Sequence, residues 1–162
     1  LCASKQGQAK LRDSINKTIE PASDNEMYLY RIEHRESKIG PYRASVKTKN
    51  GLRDFYKIMQ RNLGHQFADD YHAHPCYDLV LCKHCENQDN VYGFPTLKKL
   101  RAWFGTDEKT YKLFQKHNIV LNRYRTNVRI DAKDKKQSVT PRKYLKEYKE
   151  IPYKKVIPSI KD

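Results

Sequence analysis

Three groups of residues in this 162-residue chain have types and spacings that could do chemistry. The first is His72, His74, Cys76, Cys82, His84 and Cys85. Thiolates and imidazoles are the ligands of tetrahedral zinc, and Cys82-x-x-Cys85 has the spacing at which a tight turn brings two thiolates to one ion. Cys76 with His74 or His72 completes a set that would staple a loop of little apolar content. Against zinc, a second CxxC is missing, and unliganded thiols are the plainer reading. The second group is Arg31, Glu33 and His34 at the end of an alternating segment, with Tyr42 just beyond the Gly40-Pro41 turn. Polar side chains at a strand end beside a turn are where sites on mixed folds often sit. The plainer alternative is the polar face of a half-exposed strand. The third group interleaves cations with aromatics: Arg123-Tyr124-Arg125 with Arg129, and Arg142-Lys143-Tyr144 continuing through Lys146. Phosphate attraction and base stacking act together in such arrangements. A solvated face is the competing reading. No helix-turn-helix, RRM or KH signature accompanies them, so sequence-specific recognition is not supported.

The elements that must position these groups follow from periodicity. Met27 to His34 alternates, with Tyr28, Tyr30 and Ile32 on one face and Leu29, Arg31 and Glu33 on the other, as a strand requires. Leu52, Phe55, Tyr56, Met59 and Leu63 have helical spacing, and Gly64 closes that segment. Residues 65–90 read as a long loop around Leu79-Val80-Leu81. Val91 to Phe94 reads as a short strand. Thr96 then caps a helix whose apolar face is Leu97, Leu100, Trp103 and Phe104, with Gly105 as its stop. A second helix runs from Asp107 to His117, and Ile119 to Ile130 reads as one or two strands. The segment from Pro141 to Tyr148 predicts a further helix with Tyr144, Leu145 and Tyr148 on one side.

Composition bounds the rest. The net charge of +14 favours polyanionic partners, because cations facing phosphates release condensed counterions. With 38% apolar residues, a mean hydropathy of -0.96 and 11% aromatics, the chain is polar yet has enough aromatic mass for one core. Residues 1–26 are expected to be a flexible extension, 27–150 a single domain and 151–162 a flexible basic tail. Met27 stands directly before the first strand, which makes it the expected natural start. No run of about 18 apolar residues and no apolar signal block stands in the sequence, and four unevenly spaced cysteines suit a reducing compartment, so cytoplasm is the expected location.

The chain also resembles a set of small phage-encoded proteins. The shared residues are Tyr30-Arg-Ile-Glu-His34, Gly40-Pro-Tyr42, His74-Pro75, Gly93-Phe94 with Leu97, Leu100, Trp103 and Phe104, and a strand near Val120 to Val128. The likeness spans Met27 to Gln137 and implies a phage or prophage context, hence the cytoplasm of the host cell. The cysteines are not part of this pattern. More distantly, the layout is similar to the ADP-ribosyltransferase fold. That resemblance implies NAD as cofactor, with Arg31 or His34 holding it, Tyr42 or Tyr92 against the nicotinamide, and Gln137 in the position of the activating residue.

These readings predict an α+β fold: a small mixed or antiparallel sheet with three to four helices. The expected function is that of a phage accessory or anti-defence protein, with an NAD-binding, transferase-like domain acting on a nucleic acid or nucleoprotein. The alternative is a non-enzymatic basic nucleic-acid-binding protein with a zinc-stapled loop. A structural role in a virion is a third expectation, less favoured because no repeats or long assembly segments are present.

Overall fold

A computed structural model of the chain describes residues 26–40, 57–58, 78–84 and 89–160. Its frame is two three-stranded antiparallel sheets. The first holds β1 (Met27–His34), β3 (Ile119–Thr126) and β6 (Tyr148–Ile151), with β3 in the centre. The second holds β2 (Asn90–Gly93), β5 (Ser138–Pro141) and the short β4 (Ile130–Asp131), with β5 in the centre. Two helices, α1 (Leu97–Phe104) and α2 (Glu108–Lys116), lie between β2 and β3 in sequence.

Among the described residues, the sheets meet at a backbone bridge between Tyr30 and Phe94. Tyr30 N–H donates to the Phe94 carbonyl at 2.8 Å, and Phe94 N–H returns the bond to Tyr30 at 2.9 Å. Gly93 makes this approach possible: a Cβ there would stand 2.6 Å from the Tyr30 carbonyl oxygen, backbone that cannot move aside.

The main core covers one face of the first sheet. Ile32, Ile119 and Leu121 pack there with Phe94, Leu100, Trp103, Phe104, Tyr111 and Phe114. Thr96 caps α1 by accepting from Lys99 N–H, and Asp107 caps α2 by accepting from Lys109 N–H. The alternation expected of Met27 to His34 and the periodicity expected of residues 97–104 and 107–117 are therefore present.

Three expectations fail. Among the described residues there are two complete α-helices rather than three to four, and most of the frame is antiparallel sheet. Lys57 and Ile58 are helical, and the remainder of the segment read as a helix over 52–63 lies outside the described residues. The predicted helix from Pro141 to Tyr148 is instead the end of β5, a 3-10 turn at Arg142–Tyr144 and the start of β6. Pairing decides that segment: Tyr124 stands opposite Tyr148 and Leu121 opposite Ile151, so ladder bonds to β3 override a weak local preference. The C-terminal segment is not a free basic tail either. Tyr153, Val156, Ile157 and Ile160 are buried in the main core, and the Tyr153 hydroxyl donates to the Ile119 carbonyl at 2.8 Å.

Candidate functional site

Strand alternation puts Leu29, Arg31 and Glu33 on the face of β1 opposite the helices, and pairing sets Asn122 beside Arg31 and Tyr124 beside Leu29. Glu33 is only 1% exposed there, so it is not the polar side of a half-exposed strand. A carboxyl group so placed must have its lone pairs occupied. Arg31 Nε donates to Glu33 Oε2 at 2.8 Å, Asn122 Nδ2 donates to Oε1 at 2.9 Å, and the Tyr124 hydroxyl also donates to Oε1. Burial, with the Glu33 charge and hydrogen bond beside it, holds the Tyr124 phenol well above its usual pKa, so it remains a donor.

This network fixes Arg31. Its Nη1 also donates to the Tyr92 carbonyl. The stem and head of Arg31 run between two glycines: a Cβ on Gly93 would be 3.0 Å from Arg31 Cγ, and one on Gly40 would be 3.0 Å from Nη2. The glycines of the Gly40-Pro and Gly93-Phe pairs, distant in sequence, are therefore both shaped around the same side chain.

The Arg31 side chain forms one wall of a cavity of about 150 Å³ at the seam of the two sheets. Lys38, Asn90, Tyr92, Gln137 and Arg142 contribute its other polar walls. No described lining residue is a carboxylate; Arg31 is paired with Glu33 behind it, the Lys38 ammonium lies over the Tyr148 ring at 4.0 Å, and Arg142 brings a cation without a carboxylate partner among the described residues. Gln137, just before β5, is 6% exposed. Arg142, in the turn after β5, is exposed and has no carboxylate partner among the described residues.

Of the residues expected to act on NAD, Arg31, Tyr92 and Gln137 thus come together. His34 does not line the cavity; its Nδ1 lies 3.2 Å from the Ser37 hydroxyl in the turn after β1. Tyr42 lies outside the described residues. Sequence reasoning missed Asn90, Lys38 and Arg142 as partners of Arg31. No spacing signal joins them, because the seam is made by strands about 60 residues apart, as the 61-residue separation of Arg31 and Tyr92 shows.

The expected zinc ligands Cys76, Cys85 and His74 lie outside the described residues, as does His72. Cys82 is partly exposed, and its thiol faces the Leu79 carbonyl at 3.6 Å. Among the described residues, no group of three or more His, Cys, Asp or Glu could hold a metal ion. His84 is buried, and burial, aided by the Lys83 charge, lowers its pKa.

The expected nucleic-acid face is largely neutralised by its own neighbours. Arg125 forms a 2.5 Å ion pair with Glu26, and Lys146 stands 3.9 Å from the same carboxylate. Arg129 Nε pairs with Asp131 at 2.9 Å. Arg123 lies over the Tyr28 ring at 4.4 Å, and Lys143 over Tyr144 at 5.0 Å. Arg142 alone of that set is turned to the seam cavity.

Fold and site together define a small, mainly antiparallel β protein with a pocket at the seam where the Tyr30–Phe94 bridge joins its two described sheets. The chain belongs to the family described as Bacteriophage T4 Y00F protein, whose model matches residues 27–154, and it is a phage protein. No curated protein and no solved structure matches it. No helix among the described residues is long and apolar enough to cross a membrane.

Proposed function

We propose that this phage protein is an accessory factor whose seam pocket binds a nucleotide of the NAD or ADP class and brings it to a nucleic acid or nucleoprotein target. The observation that supports this reading is the meeting of Arg31, Tyr92 and Gln137 on one cavity with Arg142 at its side. Guanidinium groups suit diphosphate oxygens because they offer paired donors in a fixed fork. Arg31 is held by Glu33 and the Tyr92 carbonyl, which limits the entropy lost when a ligand binds. The cavity of about 150 Å³ is small beside ordinary ligand sites, so it takes one phosphate or one ring and leaves the remainder of a dinucleotide outside.

In a transferase-like reaction NAD would pass its ADP-ribosyl group to an acceptor, the glycosidic bond to nicotinamide breaking and nicotinamide leaving. The residues fit its binding better than its cleavage. Glu33 is occupied by three side-chain donors behind Arg31, and Gln137 has no basic oxygen to accept a proton from an attacking group. Glu33 is accordingly a positioning residue for Arg31.

Isothermal titration of the full chain with NAD and with ADP, followed by incubation of labelled NAD with host extract, tests the reading. Binding is expected to weaken about tenfold in Arg142→Gln, the equivalent of losing one modest charge-assisted hydrogen bond. Absence of binding to both nucleotides, with no transfer or hydrolysis, rejects the proposal.

A further inference from the structure

A second cationic surface lies between α1 and the loop that joins β4 to β5. The amphipathic spacing of α1 turns Leu100, Trp103 and Phe104 inward and leaves Lys98 and Arg101 exposed. The loop presents Lys133 and Lys135, both exposed, and Lys99 Nζ donates to the Lys135 carbonyl, tying helix to loop. A cleft of about 210 Å³ separates the two, walled by Lys99, Lys135 and Lys136 on a floor that includes Trp103.

The charges here differ from those around Arg125. Lys98, Lys99, Arg101, Lys133 and Lys135 form no ion pair with a carboxylate among the described residues, and Asp134 is the one acid lining the cleft. Asp134 Oδ1 is engaged by the Lys136 N–H at 2.9 Å. Lys99 and Lys135 line the cleft, and Lys98 and Lys133 are exposed beside them on the helix and the loop. In a chain of net charge +14 these lysines form an electrostatic footprint for a polyanion, while Arg101 lies about 200° around α1 from Lys99 and is not part of it. The aromatic residue in the cleft, Trp103, is 2% exposed, so this face offers no open ring for unstacked bases. A regular double-stranded backbone needs none.

The cleft and the seam pocket share no lining residue, but neighbours in sequence line the two. Trp103 lines the cleft and Phe104 the pocket; Lys136 lines the cleft and Gln137 the pocket.

We infer that the face formed by Lys98, Lys99, Lys133 and Lys135 docks the phosphate backbone of duplex nucleic acid, without sequence preference. The inference rests on the part of the proposed function that gives the protein a nucleic-acid target, and it is independent of what the pocket binds.

The test is fluorescence anisotropy of the full chain with a random-sequence DNA duplex across a salt series. The parent is expected to bind with affinity that falls steeply with salt. In Lys98→Gln/Lys133→Gln/Lys135→Gln the log-log salt slope should fall by about two to three, near 0.9 for each phosphate no longer neutralised. Arg125→Gln/Lys146→Gln should change it by less than about one, and nucleotide binding measured by titration should be unchanged in both variants. Equal or larger loss in the Arg125 variant overturns the location while leaving a nucleic-acid target in place. No duplex binding by the parent at low salt overturns both. Binding to phosphatidylserine vesicles that exceeds duplex binding and is abolished in Leu79→Ser, where the exposed Leu79 borders the loop, overturns the choice of partner.

Discussion

Glu33 and Asp78 both tie together segments far apart in sequence, and they do so with opposite chemistry. Glu33 is buried and takes its donors from side chains on β1 and β3. Asp78 is partly exposed and takes its donors from backbone: Val80 and Leu81 at 2.9 and 3.0 Å in its own turn, Lys133 and Asp134 at 3.0 and 3.2 Å across in the β4–β5 loop. One carboxyl therefore sets a side chain in the pocket, and the other sets the path of a loop beside the cationic cleft. Breaking the first leaves a buried guanidinium without its counter-ion, held only by backbone carbonyls among the described residues. Breaking the second exposes amide groups that water can reach.

The largest effect should follow Glu33→Ala. Removing it strands Arg31, which is 11% exposed, and destabilisation of about 3–5 kcal/mol in denaturant unfolding is expected. Arg31→Met/Glu33→Leu sharpens the comparison, because deleting both charges should recover most of that loss. If the single and double variants unfold alike, the ion pair is not what matters at this position.

Asp78→Ala should do less, about 1–2 kcal/mol, since its amide partners regain water when the carboxylate leaves. Its pH dependence adds a second measure. Burial pushes the Asp78 carboxyl up, and the four amide bonds more than offset this, so its pKa lies below the ordinary value. A depressed folded-state pKa contributes stability that is full above the unfolded value, about 3.9, and is lost as pH falls through the folded one. The gap between the parent and Asp78→Asn should therefore start to narrow only below about pH 4 and close as pH falls through the depressed folded-state value. A constant gap down to the acid limit would show that the charge of Asp78 is not the source.

The smallest effect is expected from Glu26→Gln. Its pairs with Arg125 and Lys146 are solvent-exposed, where screening and side-chain entropy remove most of the attraction. The thermal midpoint should match the parent within error; a clear drop would place this pair with Glu33 rather than with ordinary surface charges.

Local pattern was enough for several parts of this fold. The alternation of Met27 to His34 gave β1 and its two faces, and Thr96 with Gly105 bounded α1. Residues 141–148 were misleading because Tyr144, Leu145 and Tyr148 suit a helix face as well as a strand and its turn, and only pairing with β3 separates the two. The C-terminal stripe of Tyr153, Val156, Ile157 and Ile160 had helical spacing that could have been read, but its lysines and prolines made it look like a tail.

The candidate site divides in the same way. Arg31 stood out as a charge on a strand, and Tyr92 and Gln137 entered only through a distant likeness to a transferase fold. Composition alone fixed the excess of positive charge and its preference for polyanions. Which cations are free was decided by tertiary structure, since Arg125 and Arg129 meet carboxylates while Lys98, Arg101, Lys133 and Lys135 do not. The pocket itself belongs wholly to that level. It exists because Gly93 lets β2 cross close to β1 and Glu33 holds Arg31 in the gap, an arrangement of residues that no local periodicity can connect.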